Sequence, residues 1–373
     1  MPSFLRLLLL LSICSIFVMG LVMIFNTSSA EVLDHDLSRS THQALFKQIF
    51  YGIAGMMLAG ALWKMGYQRL IEMSPLLMMI FSLLLAMTLI PGIGKEVNGS
   101  RRWIGIAGFS FQPSEFVKYI VPAYFVSRLL SIDPAQLTLK EFIKLVGILG
   151  IPILLILVEP NNGTAGVVGL TVLMVCVISR IPVKFWALPL LVLALIGIFS
   201  AYHLPYVSAR LNSYMHPELD LKGKGHQPYQ AKIAAGSGQL AGIGPGNSLQ
   251  KLSYLPEAQN DYIAAIFAEE FGFIGVSCLI FLYMLVGYAG FYIAYHSQSR
   301  EGFYMASIPT FLICFQAFMN LGVVSGLLPS TGLNLPFFSQ GGTSLMANIM
   351  GLGLLLNIAY DKGVGVNLWQ RSA

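Results

Sequence analysis

Residues 256–272, PEAQNDYIAAIFAEEFG, place four carboxylates (Glu257, Asp261, Glu269 and Glu270) at the entrance to an apolar run. A carboxylate there can take a proton from an attacking hydroxyl, order a loop, or favour the positive end of a helix. A second set, QPSEFVK (112–118), puts Glu115 and Lys118 three residues apart, on one helix face. A third set is basic. Lys95, Arg101 and Arg102 lie in 92–112, and Arg210, Lys222, Lys224, Lys232 and Lys251 lie in 204–261. Arg forks and Lys point charges are the groups that hold phosphate or pyrophosphate. Together the three sets describe a site for a phosphorylated, anionic ligand with carboxylates close by.

Each residue also has a plainer reading. In that reading Asp261 serves only the dipole of the helix it precedes, and its neighbour Asn260 is a competent cap. Glu269 and Glu270 point about 100° apart on a helix, so at most one faces a cavity, and structural pairing is favoured for both. Glu257 either orders its loop or binds substrate. Arg101 and Arg102 can anchor at head groups beside Trp103, with Arg102 the one ranked functional. Lys118 and Glu115 are either a satisfied buried pair or a substrate contact. His216 and His226 have no partner at metal spacing, and Cys14, Cys176, Cys278 and Cys314 form neither a disulfide framework nor a CxxC site.

These residues must be positioned by a very apolar chain. Of 373 residues, 56% are hydrophobic and only 10% charged, where a soluble domain carries about a quarter. A helix crosses the hydrocarbon in roughly 20 residues. Candidate spans fall at about 4–26, 44–63, 75–91, 113–130, 142–158, 164–180, 185–203, 262–292, 302–327 and 341–360. The expectation is an all-α polytopic membrane protein of about ten helices, one integral membrane domain over 1–373. The first apolar run, about 19 residues, exceeds a signal-peptide core, so an uncleaved helix is expected. Lys and Arg concentrate in the inner segments, while 159–163 and 328–340 carry none. That pattern puts both termini on the cytoplasmic side. The basic clusters of 92–112 and 204–261 then lie outside, and Lys118 sits within a span, where a charge marks a functional site by default.

Two connecting segments are unusual. The long outer loop, 204–261, contains GSGQLAGIGPG (236–246), which is either a glycine-rich anion nest or a flexible connector. The segment LPSTGLNLPFFSQGGTS (328–344) is too apolar for a solvated loop and is expected to be re-entrant, lining a cavity.

Four stretches together resemble one family. NGSRRWI (98–104) with QPSEFVK, EPNNGT (159–164), KLSYLPEAQNDYIAAIFAEEFGF (251–273) and GLLPSTGLNLPFFSQGGTS (326–344) are similar, in order and spacing, to the SEDS family of bacterial shape, elongation, division and sporulation proteins. The resemblance spans roughly 4–360, and NGSRRW with Pro256-Glu257-Ala258 looks more like the division branch than the elongation branch. It implies a peptidoglycan glycosyltransferase polymerising lipid II, a disaccharide-pentapeptide on undecaprenyl pyrophosphate, at the outer face of the cytoplasmic membrane. The implied partners are a class B penicillin-binding protein and other membrane proteins of the division machinery; nucleic acid is not expected. The family's catalytic Asp falls on Asp261, and its matching charged positions fall on Arg102, Glu115, Lys118 and Arg210. Lys251 and Glu257 complete the expected substrate-binding set.

The donor linkage is α and the product linkage β, so one inverting displacement suffices, with Asp261 as base and Lys118, Arg102 and Arg210 facing the leaving pyrophosphate. A divalent cation, Mg or Mn, bridging pyrophosphate and a carboxylate fits this chemistry, although no ligand cage is visible. Three departures from the family pattern stand out. Asn161 replaces an Asp, Gln340 replaces a Tyr, and Gln259-Asn260 replaces His-Thr before Asp261. The rival readings are a lipid II flippase and a non-catalytic scaffold for the transpeptidase.

Overall fold

The computed structural model describes residues 3–35, 40–97, 99–106, 108–132, 137–203, 214–215, 225–252, 255 and 258–361. Arg210, Lys222, Lys224, His216 and Glu257 lie outside the described residues. In chain order the elements are α1 (Ser3–His35), α2 (Gln43–Met65), α3 (Tyr67–Thr88), β1 (Gly94–Val97), β2 (Ser100–Ile106), β3 (Phe109–Phe111), α4 (Pro113–Ser131), α5 (Leu139–Val158), α6 (Asn162–Ile178) and α7 (Val183–His203). They are followed by α8 (His226–Ser237), α9 (Ile263–Tyr295), α10 (Arg300–Val324) and α11 (Gly342–Tyr360). Each of the ten expected spans falls on one of these helices. Among the described residues, seven helices are both long and apolar enough to cross a membrane, and α6 is a shorter apolar one. The chain is a multi-pass membrane protein.

Local chemistry sets the helix ends. Pro113 opens α4, where its missing N–H costs nothing. Thr138 and Glu141 close a capping box on α5. Asn161 caps α6 by accepting from the Thr164 N–H at 3.4 Å, so the residue that departs from the family's Asp keeps a helix-capping oxygen. Ser299 caps α10 through the Gly302 N–H at 2.9 Å.

α4 is the central helix. Its residues from Pro113 to Val126 are buried throughout, which sinks Glu115 and Lys118 inside the bundle. α2 and α11 approach closely enough that a Cβ on Gly353 would meet the Ala59 Cβ at 2.6 Å, the small-residue contact that lets membrane helices pack.

Two connecting segments differ from expectation. The segment 92–112 folds as a three-stranded antiparallel sheet in the order β1-β2-β3. Its charges and glycines hide the alternation that would mark strands, and Gly99 (φ 72°) and Gly108 (φ 82°) make its turns. The expected loop 204–261 contains the helix α8, and its glycine run, though largely exposed, is tied to α9 by backbone contacts at Gly238, Gly242 and Gly244.

Candidate active site

A polar cavity of about 560 Å³ opens where β2, α2, α4, the α5–α6 turn, the residues before α9, and the start of α11 meet. Arg102, Glu115 and Asp261 all line it, together with Lys47, Gln48, Tyr51, Asn161, Asn334, Gln340 and Thr343. Three charged residues far apart in sequence are thus brought to one space. A second cavity, about 650 Å³, lies among α8, α9 and α10 but is lined almost wholly by apolar residues such as Val276, Met284 and Phe318.

Asp261 lies one residue before Tyr262, the N-cap of α9, so capping that helix is not its position. Its backbone is firmly held: the Asn320 amide donates to the Asp261 carbonyl at 2.7 Å and to the Leu333 carbonyl at 2.8 Å. α10 therefore ties the Asp261 loop to the 328–341 segment. That segment has no regular secondary structure and buries Leu333, Leu335, Phe337 and Phe338. Tyr283 donates to the Pro336 carbonyl at 2.5 Å, and Asn334 to the Gln340 carbonyl at 2.9 Å. The Gln340 N–H donates to the Gln259 carbonyl at 2.9 Å, two residues before Asp261. Irregular backbone at this depth is tolerated because its polar groups are paired inside the protein.

The sheet is pinned in the same way. Tyr51 donates to the Ser110 carbonyl at 2.9 Å and accepts from the Ser110 N–H at 3.1 Å. Thr343 donates to that carbonyl at 3.2 Å and accepts from the Gln112 N–H at 3.2 Å. Successive residues of a strand point to opposite faces, and Arg101 and Arg102 part accordingly. Arg101 pairs with Glu96 at 3.0 Å near solvent, whereas Arg102 turns to the cavity. Its Nε donates to the Glu159 carbonyl at 2.9 Å and its Nη2 to the Pro160 carbonyl at 2.7 Å. The guanidinium thereby joins β2 to the α5–α6 turn.

Two expected substrate contacts are placed away from this cavity. Lys118 is 1% exposed and donates to Glu115 Oε2 at 2.7 Å and to Gln316 Oε1 at 2.8 Å. An ammonium at membrane depth is tolerated only when so paired, and Glu115, not Lys118, is what the cavity meets. Lys251 pairs with Glu270 at 3.0 Å, and both side chains are nearly inaccessible. Glu269 and Glu270 are likewise buried and engaged by structural partners, as the adjacent-residue argument anticipated.

Sequence reasoning missed several participants. Lys47, Gln48 and Tyr51 share one end of α2, and polar residues in an otherwise apolar span were the available signal. Gln48 donates to the Ser339 carbonyl at 3.1 Å and accepts from the Gly341 N–H at 3.3 Å. Glu159, which follows the last residue of α5, is 1% exposed and accepts the Thr88 hydroxyl at 2.5 Å. Burial pushes its carboxyl up from 4.5 to about 7, with the Thr88 hydrogen bond and the Arg102 charge opposing. Among the described residues, no three acidic, His or Cys side chains come together as a metal cage.

Residues 6–363 match the family described as "Cell cycle protein", which groups FtsW, RodA and SpoVE. The chain belongs to this family, SEDS. SEDS relatives include stage V sporulation protein E of Bacillus subtilis, 38% identical over 344 residues that cover 91% of this chain and 93% of the relative. The probable peptidoglycan glycosyltransferase FtsW of Alcanivorax borkumensis is 37% identical over 343 residues, covering 90% and 88%. In structure, the chain is similar to one from a peptidoglycan synthase complex that coordinates polymerization and crosslinking, at TM-score 0.76 and 27% identity, covering 95% of this chain and 98% of that one. The rod shape determining protein RodA of Thermus thermophilus superposes at TM-score 0.69 and 26% identity, covering 95% and 96%.

Proposed function

We infer that this chain is a peptidoglycan glycosyltransferase that polymerises lipid II, with Asp261 as general base. The observation that carries the reading is the convergence of Asp261, Arg102 and Glu115 on one polar cavity. The relatives named peptidoglycan glycosyltransferase, matched over nine-tenths of this chain, supply the substrate class.

In this reading the 4-hydroxyl of the acceptor GlcNAc attacks C1 of the donor MurNAc. Its proton passes to the Asp261 carboxylate as the new C–O bond forms. The bond from C1 to the pyrophosphate breaks, and its electron pair leaves with the phosphate oxygen, so the anomeric centre inverts. A positioned base contributes a factor of roughly 10²–10⁴. Arg102, fixed by two carbonyls, offers positive charge where the leaving group gains negative charge; Arg210 belongs to the same proposal. Glu115 supplies a second carboxylate to the cavity, and Lys118 holds it in place from behind. Asp261 and Glu115 are the cavity carboxylates that would hold a divalent ion such as Mg or Mn. When bound it would neutralise pyrophosphate charge.

The active site is assigned to the outer face of the cytoplasmic membrane, with a class B penicillin-binding protein supplying the crosslinking and septal synthesis as the setting. The similarity to a chain of a synthase complex supports the partnership. The test uses the purified protein with that partner and labelled lipid II, comparing wild type with Asp261→Asn, both checked for folding and partner binding. Glycan from wild type and none from the variant supports the base and rejects a scaffold alone. Equal glycan from both removes Asp261 from the chemistry. No glycan from either, with lipid II crossing the bilayer, would favour the flippase.

A further inference from the structure

The helix that follows the candidate base is broken. α9 (Ile263–Tyr295) leaves helical geometry at Gly272, with φ 64° and ψ −164°. The break separates a short segment, 263–271, directly after Asp261 and Tyr262, from the longer apolar remainder. The glycine run fills the gap. Ile243 and Gly244 N–H donate to the Glu269 and Glu270 carbonyls at 3.0 and 3.1 Å, while Phe273 and Ile274 N–H donate to the Gln239 and Leu240 carbonyls at 2.8 and 3.1 Å. A Cβ on Gly242 would fall 2.1 Å from the Glu270 carbonyl oxygen, and one on Gly272 would fall 2.4 Å from the Gly242 nitrogen. Glycine is required on both sides of this contact.

Side chains hold the short segment as well. Glu270 accepts from the Asn26 amide through both oxygens, at 2.8 and 2.7 Å, and from the Lys251 ammonium at 3.0 Å. Lys251 also donates to Asn26 Oδ1 at 2.8 Å and to the Gly246 carbonyl at 2.6 Å. Glu269 accepts the Ser248 hydroxyl and the Leu249 N–H. α1 reaches the other end too, where Glu31 accepts from the Gln259 amide at 2.9 Å. The segment is gripped at its Gly272 end by Asn26 of α1 and by the chain 239–252, and Glu31 of α1 holds Gln259 in the loop before it, in place of the helix continuity lost at Gly272.

We propose that Asn26, Lys251 and Glu270 form a positioning clamp for Asp261, fixing the orientation of segment 263–271 across the Gly272 break. The proposal rests on the reading of Asp261 as base. None of the three lines the polar cavity; they act through the segment. Nine residues of helix span about 13 Å, so a tilt of about 5° at Glu270 displaces the Asp261 end by about 1 Å. A misplacement of that size can cost roughly 10²-fold in rate. A buried ion pair is a poor source of stability but holds one geometry when every partner is present.

The test takes the full chain with its class B partner and compares wild type, Glu270→Gln and Asp261→Asn. Amide hydrogen exchange is read in 262–271 and in 276–295, followed by lipid II polymerisation across substrate concentrations. In Glu270→Gln, exchange is expected to rise in 262–271 only, with kcat falling roughly 10–10²-fold and KM within about twofold. Asp261→Asn should abolish turnover and leave exchange unchanged, so the exchange result stands whether or not Asp261 is the base. Polymer from Asp261→Asn would reject the base while leaving the clamp to the exchange result. Unchanged exchange in Glu270→Gln, or a rise shared equally by both segments, overturns the clamp. A selective rise with kcat unchanged overturns its link to catalysis. Should Glu270→Gln fail to fold, Asn26→Ala keeps the ion pair and takes the same readouts.

Discussion

Glu159 makes the pH dependence of stability a direct test of the α5–α6 turn. Its carboxyl is 1% exposed, accepts the Thr88 hydroxyl, and is pushed by burial from 4.5 to about 7. The folded chain therefore keeps a proton up to about pH 7, whereas the unfolded chain releases it near 4.5. Between those values the folded state binds more protons, so stability falls as pH rises through the window and levels off above it. The gap corresponds to roughly 3 kcal/mol. Glu159→Gln keeps an oxygen for Thr88 and cannot ionise. It is expected to match wild type near about pH 4.5 and to exceed it by about 1–3 kcal/mol near about pH 8. The assay is thermal unfolding of the full chain in detergent across that range, for both proteins. Parallel pH slopes would refute the assignment of a buried, protonated Glu159. A variant less stable at every pH would show that the charged form is what the turn needs.

Other perturbations follow from the same contacts. Lys118→Met strands Glu115 in the bundle and should lower stability by about 3–5 kcal/mol; adding Glu115→Leu should recover much of it, and strictly additive losses in thermal unfolding would contradict the pair. Arg102→Lys keeps the charge but loses the fork onto the Glu159 and Pro160 carbonyls, so polymerisation should fall by roughly tenfold or more in a lipid II assay; a wild-type rate would show that charge alone suffices. Gly242→Ala drives a Cβ into the Glu270 carbonyl and should cost about 2 kcal/mol or more, read as a lower unfolding temperature.

Much of the architecture was legible in the residues because a lipid-facing helix satisfies its own backbone and announces itself by apolar length alone. The ten expected spans required no knowledge of neighbours, and α4 stood out by carrying Glu115 and Lys118 in an apolar stretch. The stretches NGSRRWI, EPNNGT and PEAQNDYIAAIFAEEFG identified the family before any contact was known. Arg102, Glu115 and Asp261 were all named from residue type and position.

Tertiary structure alone decided how those charges divide their work. Lys118 and Lys251 have the same chemistry as a pyrophosphate contact, and nothing local distinguishes one role from the other. Only Glu115 with Gln316, and Glu270 with Asn26, commit them to buried pairs. The glycine run reads locally as a nest or a loose connector; its packing on the Gly272 break depends on backbone groups far along the chain. Glu159 opens the stretch EPNNGT, but its burial and its neighbours Thr88 and Arg102 come from other elements and are not encoded in that stretch. Apolar length and helix signals are encoded within about one or two turns of chain, so sequence determined them. Burial and partnership depend on contacts between distant residues, and those exist only once the helices are packed.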